Sequence, residues 1–182
     1  MRSLIPRSLL RGSSLHNLEM KLHAFEITDE ICGGVCDRMN ALGIGEGIEI
    51  RKGRNNQVPY EAEMFDYIVA SSSLYYVDHN TSFNDNYKEL VRVMRNGGYL
   101  IATLAHPETF ILKDAIPLED GHYQITDDPY GLRNGDILKV FHTKQEIIDT
   151  FSEDFENICI GMQDEDYYGM HIQLWLVVMR KR

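Results

Sequence analysis

Phe65-Asp66-Tyr67-Ile68-Val69-Ala70-Ser71 is the stretch on which the reading of this chain turns. The run is rich in aromatic and β-branched residues, which suits a central parallel strand covered on both faces. Downstream, Phe83, Tyr87, Leu90, Val91 and Met94 recur at helical spacing, and Asn96-Gly97-Gly98 ends that helix. Tyr99 to Leu104 is the next strand. Upstream, Leu22-His23-Ala24-Phe25-Glu26-Ile27 reads as a short buried strand. Thr28 caps a following helix, with Asp29 and Glu30 in the first turn, where the helix dipole favours negative charge. Ile31, Val35, Met39 and Leu42 form its inward stripe, and Gly43 stops it. Ile48-Glu49-Ile50 is a brief strand beyond that stop.

Towards the C-terminus, Thr143 and Glu146 form a capping box that opens a helix with Ile147, Ile148 and Phe151 facing inward. Two strands close the chain, near Phe155 to Ile160 and Ile172 to Val178. No helical segment separates them, so they are expected to pair antiparallel at one edge. The alternation predicts an α/β class: a Rossmann-like, mostly parallel sheet with helices on both faces and a C-terminal antiparallel pair.

At 182 residues the chain fits one domain. Its hydrophobic content of 43% and charged content of 25% are those of a globular protein. A formal net charge of -10, spread along the chain, argues against a nucleic-acid or anionic-membrane surface. Three cysteines, an odd number, suggest reduced thiols and a cytoplasmic setting. No apolar run reaches the roughly 20 residues that span a bilayer.

The order Phe65 to Ser71, then Leu74-Tyr75-Tyr76-Val77, then Glu89-Leu90-Val91-Arg92-Val93-Met94-Arg95-Asn96-Gly97-Gly98-Tyr99-Leu100 resembles the central signature of class I S-adenosylmethionine-dependent methyltransferases. Ala24-Phe25-Glu26-Ile27-Thr28 resembles the end of that family's second strand, and Gly53 to Tyr60 its adenine-side loop. The resemblance runs from about Leu22 to the C-terminus. It implies S-adenosylmethionine as cofactor, with Glu26 on the ribose hydroxyls and Asn55 and Asn56 on the adenine edge. Ser71 and Ser72 then sit at the crevice beyond the strand ends. Tyr75 would present a ring or hydroxyl to the sulfonium. Glu26, Asn55 and Ser71 are expected to line one nucleoside-sized crevice.

The connection 106–142 is long and rich in Asp, His, Tyr and Gly, as expected of an acceptor lid. His106 follows the strand end directly and is the expected acceptor-side polar group; His122, Tyr123 and Tyr130 read first as structural. The resemblance implies methyl transfer, and the acidic surface favours a small-molecule acceptor.

The family's opening strand carries an acid and glycines, roughly D/E-x-G-x-G-x-G. Before Leu22 this chain offers Leu4-Ile5-Pro6-Arg7-Ser8-Leu9-Leu10-Arg11-Gly12-Ser13-Ser14, in which Gly12 matches the last glycine of that loop. Leu4 to Leu10 reads as an incomplete first strand, in which Pro6 removes a donor. Residues 1–21 thus read as a degraded first strand and helix, a cloning scar, a misplaced start or an Arg- and Ser-rich presequence. Residues 22–182 read as the domain proper.

Two motifs are decoys. Gly43-Ile44-Gly45-Glu46-Gly47 follows a helix and opens a strand, the reverse of a nucleotide loop, and reads as a turn. Cys32-Gly33-Gly34-Val35-Cys36 lacks the third thiolate that a radical enzyme's cluster needs, since position 39 is Met39. No histidine spacing suggests a metal. The rival readings are a non-catalytic remnant or interaction subunit that keeps the fold without the cofactor, and a dehydrogenase. A correctly placed Gly-x-Gly-x-x-Gly, which the latter needs, is missing.

Overall fold

A computed structural model describes residues 21–182. β1 (Leu22–Glu26) and β2 (Ile48–Lys52) pair in parallel, in register from Leu22 opposite Ile48 to Glu26 opposite Lys52. α1 (Asp29–Ala41) connects them. Thr28 caps it as expected, its hydroxyl accepting the Ile31 N–H at 3.2 Å. Its inward stripe differs from the expectation, however. Cys32 and Met39 are the buried residues, and Leu42 is 60% exposed. A helix lying over two strands has only a narrow contact line, so the flanking apolar positions stay partly in water.

The second sheet has the order β3-β5-β10-β9. β3 (Phe65–Ala70) runs parallel to β5 (Met94–Ala105), and α2 (Phe83–Val93) makes the crossover. β10 (Met170–Lys181) pairs antiparallel with both β5 and β9 (Phe155–Tyr167), which is the expected C-terminal pair. Asn96-Gly97-Gly98 does not end the helix. α2 stops at Val93, and Met94 is already strand and fully buried. The glycines instead lie within β5, where the register with β3 shifts. A Cβ at Gly98 would stand 2.9 Å from the carbonyl oxygens of Asp66 and Arg95, so only glycine allows that approach.

α2 and α3 (Lys144–Phe151) cover one face of this sheet. Their core includes Leu90, Leu100, Ala102, Phe141, Phe151, Phe155 and Val177. Thr143 caps α3 by accepting the Glu146 N–H at 3.1 Å.

The connection 106–142 is built rather than loose. Three short strands, β6 (Ile116–Pro117), β7 (His122–Gln124) and β8 (Ile137–Lys139), form an antiparallel sheet with β4 (Tyr76–Val77). Beneath it lies a second core of Tyr75, Tyr76, Ile111, Ile125, Leu138, Val140 and Leu174. Asp128, its carboxylate wholly buried, accepts the Leu132 and Arg133 N–H groups and pairs with the Arg133 guanidinium at 2.9 Å. Burial alone would raise that carboxyl, but Arg133 and the backbone donors hold it below the usual carboxylate range.

An ion pair on α2 joins the two sheets. Arg92 donates to the carbonyls of Tyr60 and Val58 at 2.9 Å each, and Glu89 accepts the Val58 N–H at 2.8 Å. Arg92 and Glu89 also bond each other at 2.7 Å. The chain leaving β2 is thereby clamped to the helix that serves β3. Charged hydrogen bonds of this kind contribute roughly 1.5–3 kcal/mol. Arg92→Met is accordingly expected to lower unfolding free energy by about 2 kcal/mol, read as a shift of the urea midpoint at constant slope. An unshifted midpoint would refute the clamp.

Candidate functional site

The site follows from the topology. β1 and β3 each run parallel to their partners, β2 and β5, in two separate sheets of the described chain. Ligands of α/β folds bind beyond the carboxyl ends of such strands. Glu26 is the last residue of β1 and Ser71 the first after β3, as the sequence reading placed them.

A small pocket there is lined by Phe25, Glu26, Ile27, Arg54, Asn55, Ser73, Tyr76 and Asp78. Glu26 is 3% exposed, and its Oε2 has no hydrogen-bond partner among the described residues. Burial pushes its carboxyl up from the ordinary carboxylate range to about 7. A buried carboxylate oxygen without a donor is costly, and an incoming pair of hydroxyls would repay that cost. Ser73 is likewise buried, with an unpartnered Oγ. Arg54 and Asp78 pair at 2.7 Å on the same pocket wall.

Two asparagines grip the turn after β3. Asn86 donates to the carbonyls of Leu74 and Tyr76 at 3.0 and 2.8 Å. Asn55 donates to those of Ser73 and Tyr76 at 2.8 and 3.1 Å. The Asn55 amide nitrogen is thus committed to the backbone, and only its oxygen remains for a ligand donor. Asn56 lies in the same turn but does not line this pocket.

The other expected site residues are dispersed over the strand ends. Ser71 is partly exposed and does not line the pocket with Glu26 and Asn55 as expected, and Ser72 adopts φ 50°, with its N–H donating to Thr103 Oγ1 at 2.7 Å. Ser73, which the sequence reading passed over, is the serine that turns into the pocket. Only its place two residues beyond Ser71 hinted at this. Tyr75 is buried in the cap core, stacked on Tyr76 at 5.1 Å and hydrogen-bonded to the Ser72 side chain. That burial raises its phenol far above the usual range, so it stays protonated. His106 follows β5, its ring 4.6 Å from that of Trp175. Its Nδ1 accepts the Glu108 N–H at 3.2 Å, which leaves the hydrogen of a neutral ring on Nε2. Gly12 lies outside the described residues.

The decoys behave as decoys. Gly43 and Gly47 have positive φ in the turn between α1 and β2. Cys32 is buried, and burial raises its thiol above the usual range. Among the described residues no group of three or more His, Cys, Asp or Glu could hold a metal, and no helix is long and apolar enough to cross a membrane.

The raised carboxyl sets a sign. Glu26 is protonated more readily when folded, so stability is fully present below about pH 4.5 and falls as pH rises towards 7. Glu26→Gln should remove that slope between these values. A variant whose urea midpoint tracks the wild type across the window would contradict it.

Residues 12–102 match the family model described as methyltransferase domain. A comparison with curated proteins found no match. Solved structures share the fold at low identity. One is an S-adenosylmethionine-dependent methyltransferase from Methanosarcina mazei, at TM-score 0.69 and 16% identity, covering 93% of this chain and 85% of that one. A protein from Pyrococcus horikoshii OT3 is similar at TM-score 0.63 and 16% identity, covering 94% and 76%. Geranyl diphosphate C-methyltransferase from Streptomyces coelicolor, solved with Mg2+, geranyl diphosphate and S-adenosyl-L-homocysteine, is similar at TM-score 0.59 and 12% identity, covering 97% and 68%.

Proposed function

The chain belongs to the methyltransferase-domain family, and from that premise we propose that it transfers a methyl group from S-adenosylmethionine, its cofactor, to a small molecule received under the cap. The observation that carries the reading is the buried, unpartnered Oε2 of Glu26 at the end of β1. It fits a ribose: an ionised carboxylate there accepts two vicinal hydroxyls. Asn55 Oδ1 and Ser73 Oγ offer the neighbouring polar contacts in the same pocket.

The cofactor supplies an electrophilic methyl on a sulfonium, and little covalent chemistry is left for the protein. Its task is to hold the acceptor in line, which is a matter of proximity and orientation. Ser71 to Ser73 end β3 on one side of the strand ends, and His106 ends β5 on the other. His106, its ring tilted against that of Trp175 and its Nδ1 accepting the Glu108 N–H, is held to donate from Nε2 to an acceptor oxygen or nitrogen. The acidic chain disfavours a polyanionic acceptor, and its free cysteines suit a reducing, cytoplasmic setting.

A second reading, a fold that no longer binds cofactor, is favoured by one observation: the glycine-poor sequence before Leu22. Isothermal titration with S-adenosyl-L-homocysteine separates the two. Binding is expected to weaken as pH drops below about 7, because Glu26 must ionise to accept hydroxyls. Glu26→Ala should weaken it at least roughly tenfold, the equivalent of about 1.4 kcal/mol. No heat at millimolar ligand would support the second reading and sink the first.

A further inference from the structure

β9 (Phe155–Tyr167) stands at the margin of the larger sheet. β10 takes one of its edges, from Lys181 opposite Phe155 to Met170 opposite Tyr167. No strand among the described residues takes the other edge. An open row of N–H and C=O groups is a template for one more strand, and proteins commonly blunt it with Pro, Lys or a bulge. β9 contains neither Pro nor Lys. Its register shift, with Asn157 at φ 52°, lies near its start and leaves Ile158 onward in regular pairing.

The exposed edge is complementary to itself. Ile160 pairs with Val177 and Met162 with Trp175, so by alternation Ile158, Ile160 and Met162 share the face that carries the core. Ile158 and Ile160 are partly buried against that core, and Met162 is 53% exposed. No charge interrupts the run from Ile158 to Met162. Two such edges laid antiparallel about a two-fold axis at Ile160 set Ile160 against Ile160 and Ile158 against Met162 of the second copy. Apolar cross-strand pairs of this kind stabilise a sheet. On the opposite face Cys159 meets Gly161, so no bulk blocks the approach.

Charge selects the direction. Asp164, Glu165 and Asp166 are exposed at one end of β9, where His171 bonds Asp164 at 2.9 Å and no Lys or Arg pairs with them among the described residues. At the other end Arg180 and Arg182 both reach Glu156, at 2.9 and 3.8 Å, two cations on one carboxylate. Antiparallel pairing lays each acidic end beside those arginines. Parallel pairing would set acid against acid, which is unfavourable.

We propose that the open edge of β9 is the interface for a second copy of this chain, joining two four-stranded sheets into one of eight strands. The contact uses no residue of the Glu26 pocket and stands or falls separately from cofactor binding. At a formal net charge of -10 the copies repel at a distance, so short-range backbone bonds and apolar pairs must hold them. One strand pair covers less than the roughly 1,600 Å² of a standard interface, so the dimer is reversible and of micromolar affinity or weaker.

Sedimentation velocity on the full 182-residue chain tests it, without ligand and at roughly 0.15 M salt, where the Debye length is about 8 Å. The mean mass is expected to rise from one chain towards two between low micromolar and millimolar concentration. A single-chain mass throughout overturns the proposal. Growth beyond two chains overturns it as well, because a two-fold contact is closed. Met162→Lys adds the charge that edges use against pairing and should weaken the dimer at least roughly tenfold, with an unchanged urea midpoint. A dimer that this variant leaves intact counts against the edge. Amide exchange then locates the contact: β9 amides not bonded to β10 should slow as concentration rises. Slowing confined to other elements means another surface, and β9 protection independent of concentration means a cover from the same chain; either result overturns the proposal. Should Met162→Lys fail to fold, the wild-type mass and exchange pattern still decide.

Discussion

Arg92 is the constraint on which this structure depends. Besides the small β4-β8-β7-β6 sheet, the described residues form a β1-β2 unit and a larger β3-β5-β10-β9 unit, with no backbone ladder between these two among the described residues. Arg92 and Glu89, one helical turn apart on α2, bond three backbone groups of Val58 and Tyr60 on the chain leaving the small unit. Tyr60 carries the connection onward. Its hydroxyl donates to the Ala24 carbonyl at 2.6 Å, and its ring meets Phe65 edge-on at 5.2 Å. Burial pushes that phenol up to about 12, so the hydroxyl remains a donor throughout the accessible pH range. Among the described residues, the side-chain bonds of Arg92, Glu89 and Tyr60 to backbone tie the β1-β2 unit to the unit that holds β3.

Glu26 shares its pocket with Phe25, Asn55 and Tyr76, and one of its oxygens has no donor among the described residues. Burial rather than any charged neighbour dominates its raised carboxyl.

The fold was legible in the sequence wherever burial on both faces wrote a continuous apolar run. β3 was read to the residue, and the caps at Thr28 and Thr143 were read from their polar side chains. The start of β5 was not. Asn96-Gly97-Gly98 carries the chemistry of a helix stop, but the register shift beside Asp66 makes the same glycines part of a strand. Nor were β6, β7 and β8 visible as strands: they are two or three residues long, too short for alternation to register. At the site, Glu26 was legible because a strand end fixes its direction. Ser73 was not, because the direction of a loop side chain depends on Ser72 taking positive φ, which nothing in serine's chemistry announces.

The polar residues near the pocket divide by what they already hold. Asn86 and the amide nitrogen of Asn55 spend their donors on the Ser73 to Tyr76 turn, so they shape the pocket rather than read its contents. Arg54 and Asp78 neutralise each other at its wall. What remains free is an acid, a serine hydroxyl and an amide oxygen. Two of these three can only accept once Glu26 is ionised, so the free groups are complementary to donors rather than acceptors. A phosphate, which brings acceptors and charge, would meet an ionised Glu26 as a repulsion.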